Sequence, residues 1–197
     1  MGTRTGLVIG IVAVVVGWSA MARAQAAPVK LEAPHFQEEV VFFGLGPRGE
    51  LRPPELDLLG TLLRCRRTGR QMPVHPRLAR TLVTMARRFG RPIRVISGYR
   101  AVQVNNHPHS YHMRGMAADI SIPGVSVADL RDYAVERRIG GVGYYPNSGF
   151  LHVDVRPRRF WWVDYSRPGQ REQLLPDPDG TAPEHRATDR VQVSARE

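Results

Sequence analysis

The sequence predicts an α+β domain, a small antiparallel sheet flanked by helices. Three observations carry that prediction. Short runs rich in β-branched and aromatic residues recur at Val40-Val41-Phe42-Phe43, Ile93 to Ile96, Met116 to Ile122, Gly140 to Tyr145 and Phe150 to Val155. Segments between them place apolar residues at three- and four-residue steps, the period of an amphipathic helix. Sixteen prolines and nineteen glycines favour many turns and few long helices.

The first 24 residues stand apart from this pattern. Arg4 gives a positive start, Leu7 to Ala20 is an almost unbroken apolar run, and Ala22-Arg23-Ala24 offers small residues for cleavage after Ala24. That layout is a secretory signal peptide, residues 1–24. An uncleaved membrane anchor is the alternative, but a bilayer span needs about 20 apolar residues and this run is shorter. Export would place the protein in the periplasm or cell envelope.

Residues 25–37 read as a linker, and 38–166 as the folded domain. Val40 to Phe43 forms a strand, and the turn Gly44 to Gly49 returns it as a hairpin through Leu51. Pro53-Pro54-Glu55 opens a helix to about Arg67, with Leu56, Leu59, Leu62 and Leu63 on one face. Pro76 and Gly90 frame a second helix whose stripe is Leu78, Leu82, Met85 and Phe89. Ser126 with Asp129 resembles a capping box for a third helix through Arg137. Pro146-Asn147-Ser148-Gly149 joins the last two strands as a hairpin. Residues 167–197, rich in Pro, Asp, Arg and Gln, read as a disordered tail.

An apolar share of 42% permits a real core. Cys65 is the single cysteine, so no internal disulfide forms, and its leucine-rich surroundings suggest a buried apolar role. The net charge of +10 attracts polyanions, nucleic acid being the usual first candidate. An exported protein meets the anionic wall and membrane headgroups instead. Nucleic acid is therefore not expected as a partner, and a membrane only if the signal segment is retained.

The chemistry concentrates in two stretches. In Ser110-Tyr111-His112-Met113-Arg114-Gly115-Met116-Ala117-Ala118-Asp119, a histidine and an aspartate lie seven residues apart with a glycine between. Glycine lets the backbone turn from loop to strand, so both side chains can converge. In His152-Val153-Asp154, residues two apart on a strand share a face. If the two strands are neighbours, two imidazoles and one carboxylate meet and leave a fourth position open, as catalytic zinc requires. A His–Asp pair is also a common buried hydrogen-bonded pair, so spacing alone leaves both readings open.

Four blocks in order carry a resemblance: Ser97-Gly98-Tyr99-Arg100, the Ser110-to-Asp119 segment, Gly140 to Pro146, and Phe150-Leu151-His152-Val153-Asp154. Over roughly residues 38 to 162 the chain resembles the M15 zinc peptidases, in the branch formerly described only as a domain of unknown function. The resemblance implies the fold shared by D-Ala-D-Ala carboxypeptidases and the hedgehog domain. It implies one zinc ion per chain, held by His112, Asp119 and His152. Asp154 becomes a candidate base or partner of the last ligand, and Arg100 a catalytic residue facing the substrate carbonyl. Ser110, Tyr144 and Tyr145 are the expected substrate-binding residues. The implied activity is that of a murein endopeptidase hydrolysing peptide cross-links, D-Ala to diamino acid, in peptidoglycan.

One position departs from the family pattern. Many M15 carboxypeptidases carry a glutamate three residues before the last histidine, and Gly149 stands there. Asp154 is then the best remaining carboxylate for proton transfer. Two alternatives remain at this stage: a D,D-carboxypeptidase on the same substrate, and a non-catalytic, zinc-containing module that binds the wall.

Overall fold

The computed structural model describes residues 27–43, 45–104 and 109–180. The expected signal peptide lies outside these residues, as does the tail from 181 onward. Among the described residues no helix is long and apolar enough to cross a membrane.

The elements in chain order are β1 (Val29–Ala33), β2 (Glu38–Phe42), α1 (Pro53–Leu62), α2 (Pro76–Phe89), β3 (Ile93–Ser97), β4 (Ala117–Ser121), α3 (Val127–Glu136), β5 (Gly141–Tyr145), β6 (Phe150–Asp154), β7 (Phe160–Val163) and β8 (Leu175–Pro176). The strands form one sheet in the order β2-β1-β3-β4-β6-β5-β7-β8. Mixed α and β structure is as expected, but the sheet has eight strands and is not small. Nor is it wholly antiparallel, because β1 runs parallel to β3 and β5 parallel to β7.

Three expectations about the ends of the domain need correction. The strand β1 falls inside the segment expected to be a linker. Val29, Leu31 and Ala33 point into the core while Lys30 and Glu32 point outward, a period-two pattern that marks a strand. Lys30 bridges Glu32 and Glu39, so the charges lie along the sheet surface. The hairpin partner of β2 is therefore this preceding strand and not a return through Leu51. At the other end, β8 pairs with β7 inside the expected tail.

Helix α1 ends at Leu62, short of the expected Arg67. The chain closes a tight loop there, with Cys65 N donating to Arg70 O and Gly69 N to Cys65 O, both at 2.8 Å. Helix α2 matches its expected span, starting at Pro76 and ending on Gly90 in the left-handed conformation. Ser126 caps α3 by accepting from Asp129 N at 3.0 Å.

The core lies on the face of the sheet that the helices cover. Ala118, Ile120, Val142, Tyr144, Leu151 and Val153 point that way and pack with Leu78, Leu82, Leu130 and Ala134. Strand alternation then sends Asp119, His152 and Asp154 to the opposite face. The fold thus supplies one solid face for stability and one open face for chemistry.

Candidate active site

Strands β4 and β6 are antiparallel neighbours with Asp119 directly opposite His152. The third side chain, His112, comes from a single 3₁₀ turn, Tyr111–Arg114. Ser110 caps that turn by accepting from His112 N at 3.3 Å. Gly115 ends it at φ 63, a left-handed conformation that glycine adopts without strain, and so delivers the chain into β4.

Three atoms converge. His112 Nε2 lies 3.1 Å from His152 Nδ1 and 3.3 Å from Asp119 Oδ1, and His152 Nδ1 lies 2.9 Å from that same oxygen. Tetrahedral zinc, with bonds of about 2.0–2.1 Å, separates its ligand atoms by about 3.3 Å, so this triangle fits the ion. All three side chains are buried, and one side of the triangle opens into a cavity of about 450 Å³.

Each of the three side chains is held from behind. His112 Nδ1 is 2.6 Å from the carbonyl of Gly98, so its proton sits on Nδ1 and Nε2 keeps its lone pair. His152 Nε2 is 3.1 Å from Asp154 Oδ2. The other oxygen of Asp119 accepts from Arg100 Nη2, and Arg100 Nε donates to Ser97 Oγ at 3.1 Å. A register shift between Val95 and Ser97 breaks the β3–β4 ladder at this point, as bulges beside active sites often do. Metal-binding histidines commonly give their second nitrogen to a carboxylate or a carbonyl, which fixes ring and tautomer. This cluster supplies one of each.

Asp154 is fully buried and accepts from Arg156, from the backbone N at 3.0 Å and from Nε at 2.9 Å. A Cβ at position 141 would lie 2.1 Å from Asp154 Oδ2, so only glycine leaves room for the carboxylate. Burial alone would raise the Asp154 carboxyl, but His152 and Arg156 outweigh it and hold it below the usual carboxylate range. The Asp119 carboxyl behaves alike: burial pushes it up, while His112 and His152 hold it well below its ordinary value. Burial lowers His112 and keeps it neutral. His152 is raised, because Asp119 and Asp154 overcome the burial that pushes it down. A neutral imidazole and an ionised carboxylate are the ligand forms a metal needs.

The cavity in front of the triangle has an aromatic wall formed by Tyr111, Tyr145, Phe150, Phe160 and Trp162. Trp162 Nε1 donates to the Tyr145 hydroxyl at 3.1 Å, and Tyr145 stacks on Phe150 with centroids 4.3 Å apart. Burial raises the Tyr145 hydroxyl, which therefore stays protonated at neutral pH. The Arg156 guanidinium lies 4.8 Å from the Tyr111 ring and 5.2 Å from that of Trp162.

Of the expected substrate residues, Ser110 and Tyr145 line this cavity. Tyr144 does not. It is fully buried on the core face of β5, and the Arg131 guanidinium lies 4.5 Å from its ring centroid, so its expected role in substrate binding is corrected. Adjacent strand residues point to opposite faces, and a Tyr-Tyr pair can give only one to the site.

With this geometry in view, likeness to known proteins becomes specific. Residues 22–161 match the model of the family Peptidase_M15_2, described as peptidoglycan L,D-endopeptidase MepK. The chain belongs to this M15 peptidase family. Peptidoglycan L,D-endopeptidase MepK of Escherichia coli (strain K12) is 41% identical over 80 residues, 36% of this chain and 44% of the relative. A Haemophilus influenzae protein named probable peptidoglycan L,D-endopeptidase MepK is 36% identical over 121 residues, 55% of this chain and 65% of the relative. The chain thus spans less than half the length of the Escherichia coli relative. No solved structure matches it.

The M15 match ends at residue 161, yet the chain beyond it returns to the site. Glu172 and Leu174 line the cavity, in a segment tied to the body by Gln173 N donating to Asp164 Oδ1 at 3.3 Å. Sequence reading missed Glu172 because a polar, proline-containing stretch looks like a tail. It also missed the clasp of Arg156 on Asp154, for which only the spacing of two residues was a signal.

Proposed function

We propose that this chain is an exported, zinc-dependent peptidoglycan endopeptidase that hydrolyses an L,D peptide bond. The observation that supports it most is the buried triangle of His112, Asp119 and His152, with every ligand held by a second partner, on a chain of the M15 family. Two imidazoles and one carboxylate suit zinc best among the common divalent ions. When bound, zinc supplies Lewis acidity that brings the pKa of a coordinated water to about 7.

The chain's own residues complete the chemistry. Arg100 spends two donors on Ser97 and Asp119, and its side chain is 33% exposed to the cleft. Its remaining N–H groups can donate to the substrate carbonyl oxygen, where negative charge develops. Asp154, sealed behind His152 and clasped by Arg156, orients the ring and does not reach substrate. With Gly149 at the position where many relatives carry glutamate, Glu172 is the exposed carboxylate lining the cleft. It can accept a proton from the attacking water and pass it to the leaving amine. Tyr145 and Ser110 line the path of the peptide, Tyr145 through a protonated hydroxyl.

The relatives' names specify an L,D bond, whereas a D-Ala-to-diamino-acid bond has a D-configured acyl centre. We adopt the L,D bond within the murein endopeptidase reading. The finer fold we assign is that of D-Ala-D-Ala carboxypeptidases and the hedgehog domain, supported by a ligand pair on adjacent antiparallel strands. We take the peptidase domain to run from β1 to β8, preceded by a signal peptide cleaved after Ala24. A wall substrate supports that export.

The test is digestion of defined cross-linked muropeptide dimers by the chain lacking residues 1–24, with products identified by mass spectrometry. Cleavage of L,D dimers, stopped by a chelator and restored by zinc, is the expected result. Cleavage of D,D dimers alone would move the bond to D-alanine. Release of terminal D-alanine alone would make the enzyme a carboxypeptidase. No cleavage by zinc-loaded protein would leave a wall-binding module.

A further inference from the structure

A second cavity, of about 740 Å³, adjoins the aromatic one and meets it at Arg100, Asp119, Phe150 and Glu172. The two sides differ in character. The far side of the second cavity is walled by Arg66 and Arg67, from the loop after α1, and by Arg171, from the segment beyond the family match. Among the described residues none of these three guanidinium groups is in an ion pair. Glu172 is the one acidic wall residue besides Asp119, and Asp119 is already neutralised by Arg100. In the aromatic cavity, by contrast, Arg156 is committed to Asp154.

We propose that this basic cavity is the subsite for an acidic arm of the substrate, a stem-peptide segment whose free carboxylates pair with Arg66, Arg67 and Arg171. The inference rests on the peptidase reading above. Three arginines lining one cavity with no ion-pair partner among the described residues make it attractive to an anion, and the guanidinium fork matches a carboxylate through two parallel hydrogen bonds. Wall stem peptides carry such groups, since glutamate linked through its side chain leaves its α-carboxylate free. A cavity of this size exceeds one amino acid and suits a peptide arm of several residues. Asp119, one corner of the triangle, lines both cavities, while His112 and His152 line the aromatic one, so a peptide bond held at the triangle has an acidic arm reaching to the arginine side and a second arm on the aromatic side. A cleft with room on both sides is what cutting within a chain requires.

The arginines are exposed, so replacing them leaves the core intact. Zinc-loaded protein and the variant R66Q/R67Q/R171Q are titrated calorimetrically with a synthetic tripeptide of alanine, γ-linked D-glutamate and diaminopimelate. The titration is repeated with the same peptide amidated at the glutamyl α-carboxylate. The acidic peptide should bind the variant about tenfold more weakly, a loss in keeping with several partly exposed ion pairs. The amidated peptide, which keeps only the diaminopimelate carboxylates, should bind the wild type more weakly than the acidic peptide and lose less in the variant. Unchanged affinity in the variant, or equal affinity of the wild type for both peptides, overturns the subsite. Binding is read without turnover, so a protein that discriminates the peptides yet cuts no wall dimer refutes the peptidase reading and not this one.

Discussion

His152 Nε2 sits 3.1 Å from Asp154 Oδ2, while Nδ1 of the same ring faces Asp119 and His112. The two residues lie two apart on β6, so a single strand supplies one side chain of the buried triangle and the carboxylate bonded to the far side of its ring. Gly141 on β5 leaves the space in which that carboxylate sits.

If Asp154 orients His152, Asp154→Asn should weaken zinc affinity about 10- to 100-fold, the usual cost of removing such a partner. Competition against a chelator of known affinity measures this. A general base would behave differently, losing turnover with zinc affinity unchanged.

Without metal, Asp119 and Asp154 favour a second proton on the His152 ring and raise its pKa above the usual imidazole value despite burial. That proton must leave before Nδ1 can bind zinc. Zinc affinity should therefore rise with pH by about tenfold per unit below the raised pKa, then level off above it. Titrations between about pH 5.5 and 8.5, spanning the histidine range, would show the slope.

Tyr144 and Tyr145 should separate cleanly. Tyr144→Ala empties a core position and should cost about 3–5 kcal/mol of folding stability, as large aromatic truncations do. Tyr145→Phe removes only the acceptor for Trp162 Nε1 and should cost about 1 kcal/mol. Denaturant midpoints give both numbers, and KM for wall dimers should rise for the second alone among correctly folded samples.

Gly141→Ala places a methyl group against the Asp154 carboxylate. The strand or the carboxylate must shift, at about 1–3 kcal/mol for overpacking, and His152 loses its alignment. Reduced zinc stoichiometry with a lowered melting temperature is the expected pair of results.

Period-two alternation and one glycine made it legible that His112, Asp119 and His152 could converge, but that β4 and β6 are neighbours is a long-range pairing the spacing does not signal, and only the family resemblance implied it. Helix α2 was legible for the same kind of reason, from Pro76, Gly90 and an apolar stripe between them. β1 was hidden because its alternation is short and follows an apolar leader. Glu172 and Arg171 were hidden because their placement depends on the β7–β8 pairing, a contact that composition does not signal. Tyr144 was misplaced by the pairing of two identical residues, which strand geometry must split between faces.

On the proposed function, one metal ion on His112, Asp119 and His152 powers wall cleavage. Stepwise addition of zinc to chelator-treated protein, with loss of L,D-cross-linked muropeptide dimers followed at each step, tests it most directly. Cleavage that rises linearly to one equivalent and stops, and that never appears in His112→Ala, is the predicted result. Cleavage that persists without metal, or that His112→Ala retains, would contradict it.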